Sequence, residues 1–438
     1  MKINLLPEDD NTNGWSAVLP PRQHSSALAG TIRADWLVIG AGFAGLSAAR
    51  QLACNRPDDR IVVLEAHAVA EGASGRNSGF AIDLPHNVGS SLEELQASRC
   101  YMGLARAAIA HLEDMVKRHK IDCGWAQRGK YHAAVSARGT GEVLEPFARE
   151  LEAIGEPLTW IERQELSSKL GSSHFNAAIY TPGCILMNPA ALTRGLAESL
   201  PGNVELFEHS PVLDIDYING VTAQTPAGSV FAPRLIICVN GLADQFGFYR
   251  GRLLRFAAHA SLTRPLNEAE QKAYGVDLDW GLTPANAFAG ITMRYIPEKR
   301  ILIRQNIHFQ PSVRFTDAGR ASIAREHKRL FDDRFPMLPE VNMEHTWTGY
   351  ICLSKNGAPG FGKVAGNVWA ATCQNAVGVT KGTISGKLAA DMACGVDNPM
   401  IADMESLGSP SIVPPRPFLD IGVRARFAWE LFRNRHEA

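Results

Sequence analysis

The chain has 438 residues, 45 % hydrophobic and 20 % charged, with a formal net charge of -1. That length is too great for one ordinary core and suits two domains, and the composition excludes disorder as a description of the whole. A near-zero net charge gives no global attraction to nucleic acid or to an anionic membrane, so nucleic-acid binding is excluded as a class.

Residues 1–33 read as an irregular lead-in containing Pro20-Pro21. They lack the apolar core of a secretion signal, and no segment approaches the roughly 18–20 apolar residues that cross a bilayer. The eight cysteines include no C-x-x-C pair, and several, such as Cys238, sit in apolar runs. Free thiols in a reducing, cytoplasmic compartment are the expectation, with no metal site.

The run Trp36-Leu37-Val38-Ile39 is short, continuously apolar and bounded by glycine, the pattern of a strand buried on both faces of a parallel sheet. Helical spacing follows over 43–54, and Arg60 to Glu65 gives a second strand, completing a strand–helix–strand unit. A helix is expected around 91–120 and strand-like character at 125–135. Another helix is expected at 190–200, after Asn188-Pro189. Strands near 211–217 and 229–239 flank the turn signal Asn219-Gly220. Residues 256–264 and 287–308 alternate like strands of a mainly antiparallel sheet with one face covered. Val368 to Thr372 is again strand-like and leads through a Gly-containing loop to a helix at 382–394. The tail after 405 starts Pro-rich and ends in a basic amphipathic stretch, 421–435.

This order predicts an α/β (α+β) architecture. A discontinuous Rossmann-like domain on a parallel sheet spans 34–89, 175–250 and 357–404. A second domain on a mainly antiparallel sheet spans 90–174 and 251–356, and 405–438 forms a tail helix.

The turn after the first strand, Gly40-Ala41-Gly42-Phe43-Ala44-Gly45, is a complete G-x-G-x-x-G between strand and helix. Gly40 suits the tight turn, Gly42 the close approach of a pyrophosphate, and Gly45 the packing of helix on strand. The helix N-terminus then offers free N–H groups to the anion. Glu65, followed by Ala66, closes the second strand where ribose hydroxyls need an acceptor, and its charge disfavours a 2′-phosphate. The chain has no second copy of the motif for a pyridine nucleotide. Gly72 to Gly79, with Ser74, Gly75, Arg76, Asn77 and Ser78, is small and polar enough to run along an extended cofactor.

Together these segments resemble the D-amino-acid oxidase superfamily of flavoproteins, closest to its gamma-glutamylputrescine oxidase-like branch, which shares the Leu19-Pro20-Pro21 lead-in. The resemblance extends through Leu235 to Gly241, Met293-Arg294-Tyr295, Trp347-Thr348-Gly349 and Cys373 to Thr380. It implies bound FAD, with Val212, Asn240 and Gly241 on the adenine side and Gly378, Val379 and Thr380 near the flavin. It also implies hydride transfer from the C–N bond of a small amine or amino acid to flavin N5, with no obligatory catalytic acid or base. Electrons would pass to oxygen or to an accepting partner. Strand 301–307 carries arginines but no lysine, which tilts the expectation toward a dehydrogenase. The loop Cys373-Gln374-Asn375-Ala376-Val377 is bulkier and more polar than the resemblance leads one to expect. Arg76, His259, Arg294 and Thr380 are the substrate-pocket candidates, the two arginines as anchors for a carboxylate. Cys352 falls near where relatives attach flavin covalently, but a free buried cysteine is the expectation. The basic tail helix is expected to dock its apolar face on the protein body. Two other readings stay open: a dehydrogenase of a 2-hydroxy acid or polyol, and an FAD-holding subunit with little activity alone.

Overall fold

Alternation along Trp36–Ile39 decides where the central sheet sits. Trp36 and Val38 belong to one apolar cluster and Leu37 and Ile39 to another, all four being buried. Both faces of the strand are therefore covered, as a parallel sheet requires. In the computed structural model, which describes residues 1–85, 98–287 and 289–438, this strand lies inside a six-stranded sheet. Its order is Gly360–Ala365, Val368–Thr372, Arg234–Ile237, Trp36–Ile39, Ile61–Leu64 and Val204–Phe207. All neighbours run parallel except the Gly360–Ala365 edge. Helices Phe43–Asn55 and Thr383–Cys394 pack on each other over the Val38 face. A four-stranded sheet of Gly30–Arg33, Gly228–Ala232, Val221–Gln224 and Asp214–Asp216 covers the other.

The second large sheet has eight strands among the described residues. In order they are Met343–Leu353, Leu254–Thr263, Arg300–Phe309, Thr292–Ile296, Trp280–Pro284, Lys130–Ala134, Ala177–Thr181 and Thr159–Glu162. Every pair is antiparallel except Trp280–Pro284 with Lys130–Ala134. Along Arg300–Phe309 the two faces separate cleanly. Leu302 joins the cluster shared with the parallel sheet, whereas Ile301 and Ile303 pack with Phe331 and Phe335 of the helix Asp317–Arg334. The cavity described below lies on the Leu302 side.

The structure departs from the sequence expectations in several places. The expected strand at 229–239 is two strands in two different sheets, broken at Pro233, whose missing N–H cannot continue a ladder. The lead-in is not irregular: Ile3 N donates to Leu213 O at 2.9 Å, and Gly30–Arg33 pairs in parallel with Gly228–Ala232. Trp15 is buried, and its indole N–H donates to Asn77 O at 2.7 Å. Ala177–Thr181, expected in the nucleotide-binding part, pairs instead in the eight-stranded sheet. The expected helix at 91–120 is Arg99–His119; residues 91–97 and the expected boundary at 89/90 lie outside the described residues. The helix Asp317–Arg334 and the strand Trp280–Pro284 were not anticipated.

Two fully buried histidines carry a pH prediction. His259 bonds Thr348 Oγ1 at 3.0 Å and His308 Nδ1 at 2.9 Å, and His327 Nδ1 meets Ser261 Oγ at 2.8 Å. Burial holds both neutral, lowering His259 to about 3 and His327 to about 4. Their folded pKa values lie below the unfolded one, so unfolding takes up protons below about pH 6.5. Stability is therefore complete above that pH and falls as the pH drops toward 4, by up to about 1.4 kcal/mol per unit for each ring. The urea midpoint should be lower at about pH 5 than at pH 7; an unchanged midpoint would contradict this assignment.

Candidate active site

At the carboxyl end of Trp36–Ile39 the chain turns sharply through Gly40, whose φ of +101° is a left-handed value. A Cβ there would meet Cys238 O at 2.6 Å. Gly42 begins the helix Phe43–Asn55 without any side-chain cap, so its first amides stay available apart from Phe43 N, which donates to Ser74 Oγ at 3.0 Å. Gly45 does not line the cavity. It lies against the turn, and a Cβ on it would sit 1.7 Å from Gly40 O. Glu65 Oε2 accepts from Ala41 N at 2.7 Å, and Oε1 from His67 N at 3.2 Å. Burial raises the Glu65 carboxyl pKa, and those amides oppose the rise. Gly75 is another packing glycine, since its Cβ would meet Ala70 O at 2.0 Å.

Two cavities of about 220 and 200 Å³ meet at this turn. They share Gly42, Ala73, Ser74, Arg76, Cys238, Asn240, Tyr350 and Ile351, so they form one elongated cleft. One end is lined by Gly40, Ala41, Glu65, Ala66, Val212 and Gly241, together with Leu5, Leu6 and Pro7 of the lead-in. Nothing in the lead-in's sequence had marked those three. The other end lies between Phe43, Ala44, Asn77 and Ser78 on one side and the eight-stranded sheet on the other, closed by Gly378, Val379 and Thr380. Thr380 is buried there, and its hydroxyl donates to Ile82 O at 3.3 Å.

The substrate-side candidates redistribute. Arg76 touches the cleft, but its guanidinium is already held by Asp10 at 2.7 Å, Asp9 at 3.1 Å and Glu71 at 3.4 Å. Three carboxylates leave it no surplus charge for a substrate acid, which corrects the expectation. Arg294 is also a structural cation. It donates to Met187 O at 2.6 Å, Gly79 O at 2.8 Å and Ser78 O at 3.3 Å, and it does not line the cleft. His259 points away from the cleft while its neighbours Ala258 and Ala260 line it; the sheet has a bulge at Ala258/His259.

Arg304 takes the place expected for Arg76 and Arg294. It lines the cleft, and among the described residues its hydrogen-bond partner is Thr292 Oγ1 at 2.7 Å, its neighbour across the ladder. Among the described residues no carboxylate pairs with it, and burial lowers its pKa to about 10, so it stays charged at neutral pH. Its partner on the other strand is Ala260, whose small side chain leaves space in front of the guanidinium. Thr283, Phe80, Ile82 and Ile307 complete this end. No Asp, Glu, His or Lys is among the described residues that line it.

The loop after Val368–Thr372 explains its unusual composition. Cys373, Asn375 and Ala376 all have left-handed φ, 53°, 51° and 64°, a costly backbone without glycine. Asn375 holds it: Oδ1 accepts from Ser354 N at 2.8 Å, and Nδ2 donates to Gly357 O at 2.9 Å and Ala358 O at 3.1 Å. Gln374 lines the cleft and donates Nε2–H to Ser385 Oγ at 3.0 Å, but its buried Oε1 has no partner among the described residues. Cys352 also lines the cleft; contact with the Cys373 thiol and burial hold its pKa well above the usual range, so it is a thiol and not a thiolate.

Known proteins resemble this chain in sequence and fold. The chain is 23% identical to the probable oxidoreductase OrdL of Haemophilus influenzae, covering 92% of both chains. It is 24% identical to the gamma-glutamylputrescine oxidoreductase of Escherichia coli, over 89% of this chain and 88% of that one. Among solved structures, glycine oxidase from Geobacillus kaustophilus superposes with a TM-score of 0.70 at 19% identity, covering 87% of this chain and all of that one. L-amino acid deaminase from Proteus vulgaris gives 0.69 at 14% identity, over 89% and 99%. The model of the DAO family, described as FAD dependent oxidoreductase, matches residues 35–392. With that match over most of its length, the chain belongs to the DAO family of FAD-dependent oxidoreductases, the group of amine and amino-acid oxidases and dehydrogenases.

Proposed function

We propose that this enzyme oxidises the C–N bond of an amine or amino acid that carries a carboxylate, with the acid group held by Arg304. The observation that carries the reading is a half-buried, charged guanidinium in the cleft with no carboxylate beside it among the described residues. A cation drawn partly out of water without a counterion gains when a ligand supplies one, and Arg fits a carboxylate through two parallel hydrogen bonds.

The residues present fit FAD. Gly40 to Gly45 and the uncapped helix N-terminus would hold the pyrophosphate, and Glu65 and Ala66 the adenosine ribose. Val212, Asn240 and Gly241 would flank the adenine side. Ser74 to Ser78 and Gly378 to Thr380 would surround the ring system. The orphaned Gln374 Oε1 is an acceptor that an imide N–H would satisfy. When bound, the cofactor supplies the hydride acceptor. The protein's own part is then positional: Arg304 fixes the acid end, the Thr292 hydroxyl orients the guanidinium, and Ala258 and Ala260 leave room for the rest of the substrate. With no carboxylate, imidazole or amine among the described lining residues, proton removal falls to solvent, and the substrate amine must react in its neutral form.

The product distinguishes this reading from oxidation of a 2-hydroxy acid on the same anchor. Turnover should release ammonia or a free amine with a carbonyl compound. A carbonyl product formed only from hydroxy acids, with no nitrogen released, would overturn it. A second outcome follows from the protonated thiol at Cys352: FAD should leave the protein on acid precipitation. Yellow colour that stays with the pellet, and is lost in Cys352→Ala, would mean a covalent bond.

A further inference from the structure

The helix Phe418–Arg433 lies beyond the family-matched residues and presents the wrong face to solvent for a docked helix. Its inner side is fastened to the body. Phe427 stacks on Phe256 at 5.1 Å, Glu430 is buried, and just beyond the helix Glu437 accepts from Val135 N at 3.0 Å. The outer side carries Phe418, Ile421, Trp429 and Phe432, exposed by 71%, 64%, 56% and 61%. At about 100° per residue these four and Ala425 fall on one stripe. The same wheel places Arg426 and Arg433 along one margin of that stripe and Arg424 along the other; Arg435, just beyond the helix, lies over the Phe432 ring at 4.5 Å. The acidic residues Asp420 and Glu430 lie on the inner half, where Glu430 pairs with Arg426 at 2.5 Å, so the outer half has no negative charge while Arg424, Arg433 and Arg435 carry the free positive charge. The sequence expectation that the apolar face docks on the body is therefore reversed.

We propose that this helix binds the surface of an anionic lipid bilayer, lying in the plane of the headgroups. An apolar stripe rich in Phe and Trp with arginines on both margins matches that environment: the rings enter the acyl boundary and the guanidinium groups reach phosphates on either side. No helix among the described residues is long and apolar enough to cross a membrane, so the attachment is peripheral. A second copy of the chain is the poorer occupant, because a symmetric pairing brings these arginines against their own counterparts. The net charge of -1 gives no help from the rest of the molecule, so binding depends on the helix and weakens with salt.

The test uses the full-length holoenzyme with vesicles of phosphatidylcholine alone, and of phosphatidylcholine with about one quarter phosphatidylglycerol. The protein should float with the anionic vesicles at low salt, stay free of the neutral ones, and be released by about 0.5 M salt. The variant Arg424→Gln/Arg426→Gln/Arg433→Gln/Arg435→Gln should bind at least about tenfold more weakly, as should Phe418→Ser/Trp429→Ser, both with unchanged flavin content and turnover. Wild-type protein that ignores anionic vesicles overturns the proposal, as does equal binding by the variants. A dimer by size exclusion that dissociates in Phe418→Ser/Trp429→Ser, without vesicle binding, assigns the face to a second copy.

Discussion

Gly45→Ala is expected to cost the enzyme its folded, yellow form. The added methyl would lie 1.7 Å from Gly40 O and 3.4 Å from Cys238 Cβ. The first neighbour is backbone, fixed by Gly40's own left-handed turn, so it cannot swing aside. Relief requires the helix Phe43–Asn55 to lift from the central strand, which disrupts packing by about 3 kcal/mol and removes the amides that would face a pyrophosphate. Gly42→Val should behave differently. There the nearest neighbour is Ser74 Oγ at 2.6 Å, the movable end of a side chain, so the chain should fold more readily but purify with little FAD because the branched group projects into the cleft. Yield and flavin content after purification separate the two. Full yellow colour and activity in Gly45→Ala would mean that the helix is not packed on the strand as described.

Arg304→Ala should raise KM for a carboxylate-bearing substrate by about one to two decades, the value of a charge-assisted contact worth about 1.5–3 kcal/mol. FAD content, and the KM of an analogue lacking the carboxylate, should hardly change. Thermal stability should hold, since the substitution removes a half-buried charge with no carboxylate beside it among the described residues. Arg304→Lys should recover only part of the loss, because an ammonium lacks the planar fork. Arg294→Ala provides the contrast: it strands the carbonyls of Ser78, Gly79 and Met187, so it should lower stability with no selective effect on acidic substrates. An unchanged KM in Arg304→Ala, beside a raised KM in Arg294→Ala, would return the anchor to the hairpin position expected from the sequence.

What was legible follows from which physical signals are local. Gly40, Gly42, Gly45 and Glu65 belong to one strand–helix–strand unit, where spacing and backbone conformation are linked within a few residues. The assignment of arginines was not local. Arg76 owes its neutrality in effect to Asp9 and Asp10, which come from a lead-in that showed no periodicity. Arg294 and Arg304 share one face of the sheet, opposite Leu302 and Thr292 respectively; which one reaches the cleft is decided by Ser78, Gly79 and Met187, distant in sequence, whose carbonyls hold Arg294. The division at Pro233 was readable, since proline cannot serve a continuous ladder. The left-handed run Cys373 to Ala376 was not, because Asn375 stabilises it through contacts with Ser354, Gly357 and Ala358. In the tail, amphipathicity was visible but not which face meets the body; contacts such as Phe427 with Phe256 settled that.

Anaerobic mixing of the holoenzyme with matched pairs of amines, each with and without its carboxylate, tests the central claim most directly through bleaching of the visible flavin band. The account predicts rapid bleaching by members of the acid-bearing set, and slower or no bleaching by their decarboxylated partners, with the difference abolished in Arg304→Ala. Bleaching only by carboxylate-free amines, or by hydroxy acids and no amine, would contradict it.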